Sequence, residues 1–145
     1  MMLRCALAAS FWAAFVAVGP VRAAPRDVQI RSINIATGVI ELHNFGPVDQ
    51  LLGGWQFCTQ DDNQLRVYSA STALNPFTVE AGTSFFVHLN NDAPGGADSV
   101  NGSALLFFAG PLDAGPFAIS LYFPPVVFPN GNTMADHVQW TVNGA

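Results

Sequence analysis

The chain contains no lysine, and its five arginines stand against ten acidic residues. Charged side chains make up 10% of its 145 residues, far below the usual quarter. Arg4 and Arg22 lie within the first 23 residues. Beyond them Arg26, Arg31 and Arg66 face all ten acidic groups, a net charge of 3 − 10 = −7. A nucleic-acid binder needs a concentrated basic footprint from which to release counterions. Three scattered arginines do not form one, so no nucleic-acid partner is expected. Anionic membrane surfaces are disfavoured for the same reason.

Cysteine is almost missing. Of Cys5 and Cys58 only the second lies past residue 23, and a lone thiol cannot close an internal disulfide. With no cation beside it in sequence to lower its pKa, Cys58 reads as a small buried apolar side chain on a strand that starts at Trp55. Also missing beyond residue 23 is any long stretch with helical period and caps.

What is present begins with a leader. Arg4 is followed by an apolar run from Cys5 to Val18, then Gly19-Pro20, then small residues on either side of Arg22. That is the layout of a helical signal peptide over residues 1–23, and the run is shorter than the roughly 20 residues a spanning helix needs. The expected product is secreted or periplasmic, with no stable membrane insertion after cleavage. Residues 24–145 then form one domain, long enough to bury a core without metals or disulfides.

Short runs rich in Val, Ile, Phe and Thr recur between clusters of Gly, Pro, Asn and Asp, the pattern of an all-β sandwich or barrel. Strands are predicted at Val28–Ile35, Val39–Asn44, Trp55–Thr59, Leu65–Ser69, Ser84–Asn90, Ala104–Phe108, Phe117–Tyr122 and His137–Val142. A parity change between Ile30 and Ile33 predicts a bulge. Phe85, Val87 and Leu89 face one side of their strand and Phe86 and His88 the other, which suits a central strand or a contact surface. In the last strand Val138, Trp140 and Val142 should point inward. Asn90–Gly102 reads as a long polar loop, and Phe123–Asn130 as a proline-broken one with apolar Val126, Val127 and Phe128. Asn143-Gly144 is a hairpin-turn pair with a single residue after it, which suggests either a truncated chain or a clipped variant with an unpaired edge open to self-association.

The order of these segments carries a resemblance. Glu41-Leu42-His43-Asn44, then Val48-Asp49 and Leu52-Gly53-Gly54-Trp55, resembles the opening of the lamin-tail domain family, with Gln50-Leu51 lengthening the intervening turn. Ala81-Gly82 before Phe85-Phe86-Val87, Ser120-Leu121-Tyr122 and Asp136-His137-Val138-Gln139-Trp140 are similar to its later strands, especially in secreted bacterial members. The resemblance implies an immunoglobulin-like antiparallel β-sandwich acting as a non-catalytic structural or protein-interaction module. Trp55 and Trp140 are then candidates for a central packing pair. Leu42 should face inward, and Asn44 should bond its own turn. Gly53-Gly54 should supply the close approach or positive φ that lets Trp55 enter the core.

Chemistry is sparse. His43, His88 and His137 lie 45 and 49 residues apart, with no metalloprotease spacing. Glu41 and His43 share a strand face, which could make a proton-transfer pair or simply place Glu41 opposite a neighbouring strand. Glu41, Glu80 and Asp136 offer carboxylates but no defined pair. No G-x-S-x-G is present. Hard oxygen donors crowd two loops, Asn90, Asn91, Asp92 and Asp98 in one and Asp61-Asp62-Asn63 in the other, without EF-hand spacing. No catalytic, metal-binding or cofactor-binding residue is assigned, and no cofactor is expected. The expected partner is an unidentified extracellular or periplasmic protein or surface polymer. The alternative reading is a carbohydrate- or calcium-binding sandwich module, with Tyr68 and Tyr122 as stacking candidates if the tryptophans are buried.

Overall fold

The computed structural model describes residues 26–61, 65–112, 118–128 and 130–140. The predicted leader, Asp62-Asn63, Phe117, Val142 and the Asn143-Gly144 turn lie outside the described residues.

The described chain is all-β. One four-stranded sheet has the order β1 (Val28–Asn34), β2 (Val39–Asn44), β7 (Ser84–His88), β8 (Ser99–Asn101). A second runs β10 (Met134–Gln139), β9 (Ala118–Tyr122), β4 (Gln56–Gln60), β5 (Arg66–Tyr68). A small ribbon pairs β3 (Gln50–Leu51) with β6 (Thr78–Val79). The two larger sheets share one core, and the reason is the period of two along each strand. Val28, Ile40, Leu42, Phe85 and Val87 enter it from one sheet, and Phe57, Ile119 and Leu121 from the other. The result is a β-sandwich-like arrangement. No helix of the described residues is long and apolar enough to cross a membrane.

Several expectations hold. β2 spans the expected residues, β7 is central between β2 and β8, and β1 carries a bulge between Ile30 and Ser32. Leu42 is fully buried. Asn44 is also fully buried, and it satisfies itself through its own turn. Its Oδ1 accepts from Gly46 N at 2.9 Å, and its Nδ2 donates to Val48 O at 2.8 Å and Val79 O at 2.9 Å. Gly54 adopts φ +77°, and Trp55 beside it is 2% exposed.

Other expectations are corrected. Ala104–Phe108 is not a strand. Gly102–Leu105 forms a 3-10 turn, and Leu106 takes φ 49° and reverses the chain. A Cβ on Gly102 would lie 2.8 Å from Phe108 O, so the backbone folds back on itself there. The supposed loop Asn90–Gly102 ends in β8, which runs parallel to β7, so the first sheet is not purely antiparallel. Gln50-Leu51 does more than lengthen a turn, because it pairs with Leu51↔Thr78 and Gln50↔Val79. The last strand starts at Met134, three residues earlier than His137.

Trp140 is the largest departure from expectation. It is half-buried and packs against the edge of the core. It lines an apolar cleft of about 260 Å³ with Ile30, Ile33, Ile35 and Val138. Trp55 instead pairs with Phe123 at 6.1 Å between ring centroids, tilted by 55°. The two indoles therefore do not form the expected pair. Trp140 follows an edge strand, so it lies at the margin of the core rather than at its centre.

Candidate functional site

The polar residues singled out in the sequence fall into separate places. On the outer face of the first sheet, β2 and β7 set His43 opposite Ser84. Ser84 Oγ donates to Glu41 Oε1 at 2.7 Å and lies 2.9 Å from His43 Nδ1. A hydroxyl has one proton, so with that proton on Glu41 the imidazole Nδ1 must donate to Oγ. The carboxylate thus contacts the serine, and the serine contacts the imidazole. The arrangement differs from a nucleophile–base–acid relay. Ser32 Oγ donates to Glu41 Oε2 at 2.9 Å, and Arg31 Nη1 lies 3.3 Å from Oε1. The Ser84 bond foremost, then Ser32 and Arg31, hold this carboxyl below its ordinary 4.5 against the opposing effect of burial. Glu41 is therefore the cross-strand partner that its position allowed.

His88 bonds Asp92 at 2.9 Å on its own β7 exit, and His137 bonds Ser120 at 2.7 Å on the other sheet. The three histidines do not converge. The oxygen-rich loop commits these side chains to neighbouring backbone and to His88. Asn91 Oδ1 accepts from Ser103 N, Asn90 Nδ2 donates to Thr37 O, and Asp92 holds His88. Among the described residues no three His, Cys, Asp or Glu side chains are grouped as a metal would require. Asp61 Oδ1 accepts from Leu65 N at 2.8 Å. Glu80 is exposed on the turn before β7, and Asp136 bonds the β1 backbone, so these carboxylates do not face each other.

The most built-up hollow lies on the outer face of the second sheet. Strand registers place Tyr68, Cys58, Ser120 and His137 in one row across all four strands. Alternation explains the row. Phe57, Ile119 and Leu121 turn inward, so Cys58, Ser120 and Tyr122 turn outward. The neighbouring row holds Arg66, Gln60, Ala118 and Gln139. The hollow measures about 260 Å³, floored by Cys58, Ala118 and Ser120 and walled by Tyr68, Tyr122 and Met134. Phe128 closes one side, with its ring centroid 4.4 Å from that of Tyr68 and 4.6 Å from that of Tyr122. Burial pushes the Cys58 thiol up, with Arg66 acting against it. Burial likewise raises the Tyr122 phenol, the Cys58 sulfur adds to the rise, and Ser120 and Arg66 oppose it.

The buried thiol is as expected for Cys58. The hollow itself was not foreseen, although Ser120-Leu121-Tyr122 already contained its parity signal. Tyr122 presents no open stacking plane, whereas Tyr68 is 39% exposed. Tyr122 is 4% exposed, and Phe128 rests against both rings. Of the apolar loop residues, Val127 is 51% exposed while Val126 and Phe128 are half-buried. Phe86 is also half-buried, opposite Glu41 on one side and Ser99 on the other. No protein-family model matches the chain, and no curated protein matches it at a meaningful level.

Proposed function

We propose that the protein is an exported, non-catalytic interaction module. In this reading residues 1–23 are a signal peptide, and residues 24–145 are an immunoglobulin-like sandwich of lamin-tail type. The resemblance of Glu41–Asn44 and Leu52–Trp55 to that family supports the family reading, and the leader's composition supports export. The partner is a protein outside the cytoplasm that adds a strand to the β5 edge.

One observation carries the contact surface. β5 ends its sheet, bonded to β4 alone among the described residues, and all three of its residues are exposed. Leu65, Val67 and Tyr68 are 66%, 41% and 39% exposed there. Solvent-facing edges are ordinarily blunted by lysine, proline or a covering loop. An exposed edge with two apolar residues of three and no outer strand among the described residues suits strand addition, in which main-chain bonds give affinity and alternate side chains give selectivity.

The test is photocrosslinking of the exported protein in its native host, with p-benzoylphenylalanine at position 67 or, as control, at position 45. Phe45 is 60% exposed and lies at the end of β2, on the other sheet. A discrete heterologous adduct from position 67 and none from position 45 supports the reading. Adducts only to a second copy of the chain, or equal adducts from both positions, contradict it.

A further inference from the structure

The geometry points to the outer hollow of the second sheet as a binding site for a compact aromatic carboxylate. This goes beyond the interaction role: Arg66 and Tyr68 of β5 line the hollow, but the inference does not depend on strand addition there.

Charge is the first argument. Acidic residues outnumber basic ones two to one in the whole chain, yet no described residue lining the hollow is acidic. Arg66, one of only three arginines beyond residue 23, sits at its rim. Its Nε donates to Gln60 Oε1 at 3.3 Å across the β4–β5 pair. The terminal nitrogens bond to no described residue, so a carboxylate at the rim could take them as a fork. The same guanidinium acts on both Cys58 and Tyr122 at the floor and wall, so its field reaches into the hollow.

Shape and polarity narrow the ligand. An apolar cavity of about 150 Å³ accepts benzene, and this hollow of about 260 Å³ has room for a ring plus a short acid arm. Tyr68 and Phe128 offer ring edges and faces, and Met134 a polarisable, adaptable wall. His137, fixed by Ser120 at 2.7 Å, holds an imidazole at the rim across the sheet from Arg66. A phosphate would meet one permanent cation and an apolar floor, a poor exchange for its hydration. A planar acid with an apolar body matches both halves of the site.

The experiment titrates the full chain with phenylacetate and, in parallel, with its neutral amide phenylacetamide, following heat and the side-chain signals of Arg66 and His137. Saturable binding of the acid, about tenfold weaker binding of the amide and a similar loss in Arg66→Gln are expected, the usual scale of a charge-assisted bidentate contact. Arg66 is exposed, so the substitution should not disturb folding. A second variant, Ala118→Leu, fills the floor and should abolish binding of both probes. No saturable binding of the acid, equal binding of acid and amide, or undiminished affinity in Arg66→Gln would overturn the assignment.

Discussion

Asp136 Oδ2 accepts a 2.9 Å hydrogen bond from the backbone N–H of Ile30. The bond joins the edge strand of one sheet to the edge strand of the other. Both strands are irregular where it forms, β1 between Ile30 and Ser32 and β10 between Met134 and Asp136. A bulge re-aims side chains and interrupts pairing. Here two facing bulges bring a carboxylate onto a β1 backbone N–H. The seam is thereby closed by a side chain, which also blocks strand addition at that edge.

Asp136→Ala should therefore lower stability by about 1–3 kcal/mol, the usual cost of leaving a part-buried donor without its acceptor. Asp136→Asn should cost less, because its carbonyl oxygen can still accept. Chemical denaturation of the three proteins measures the difference, and equal stability of all three would remove the seam's role.

Asn44 ties its own turn to Val79, 35 residues away. Asn44→Ala should cost on the order of 3 kcal/mol, since three bonds are lost at once and two carbonyls are left without that donor. Asn44→Asp should be destabilised too, and its stability should recover as pH falls, because only a protonated carboxyl can donate to a carbonyl. A pH series of thermal melts checks the sign.

Glu41 gives the natural pH dependence. Its carboxyl is held below 4.5 by Ser84, Ser32 and Arg31. A depressed acid stabilises the fold fully above its unfolded pKa and loses that contribution as pH falls through the folded value. The wild type should thus lose stability relative to Glu41→Gln below about pH 4.5, with a constant difference above it. Parallel melts across the acid range up to neutrality test this, and a difference that does not narrow in acid would contradict it.

Two glycines separate strain from crowding. Gly54 has φ +77°, and a Cβ there would lie 3.4 Å from Pro124, while Gly82 has φ +71° with nothing within 4 Å. Gly82→Ala should cost about 1–2 kcal/mol from the left-handed backbone alone. Gly54→Ala should cost at least as much, because its Cβ would also meet Pro124 at 3.4 Å beside Trp55. Denaturation midpoints rank the two.

Period-two alternation made much of this legible. β2, β7 and the β1 bulge follow directly from where Ile30, Ile33, Ile40, Leu42, Phe85 and Val87 stand. Where alternation fails, so does the reading. Met134-Ala135-Asp136 bends around a bulge, which hides the start of β10. Ser99–Asn101 is too short to show a period, and its pairing to β7 is a backbone matter. Local apolar density misled as well. Leu105, Leu106 and Phe107 look like a strand, but Leu106 turns left-handed and points its side chain to solvent, 74% exposed. The outer hollow needed four registers at once, information that no single segment contains.

Trp55 decides whether the aromatic set belongs to the core or to a ligand platform, and its emission is the most direct test. In the full chain carrying Trp12→Phe and Trp140→Phe, Trp55 is the sole indole. The account predicts blue-shifted fluorescence that acrylamide quenches poorly in the native state and readily after denaturation. Emission at the wavelength of a hydrated indole, quenched as easily before unfolding as after, would contradict it.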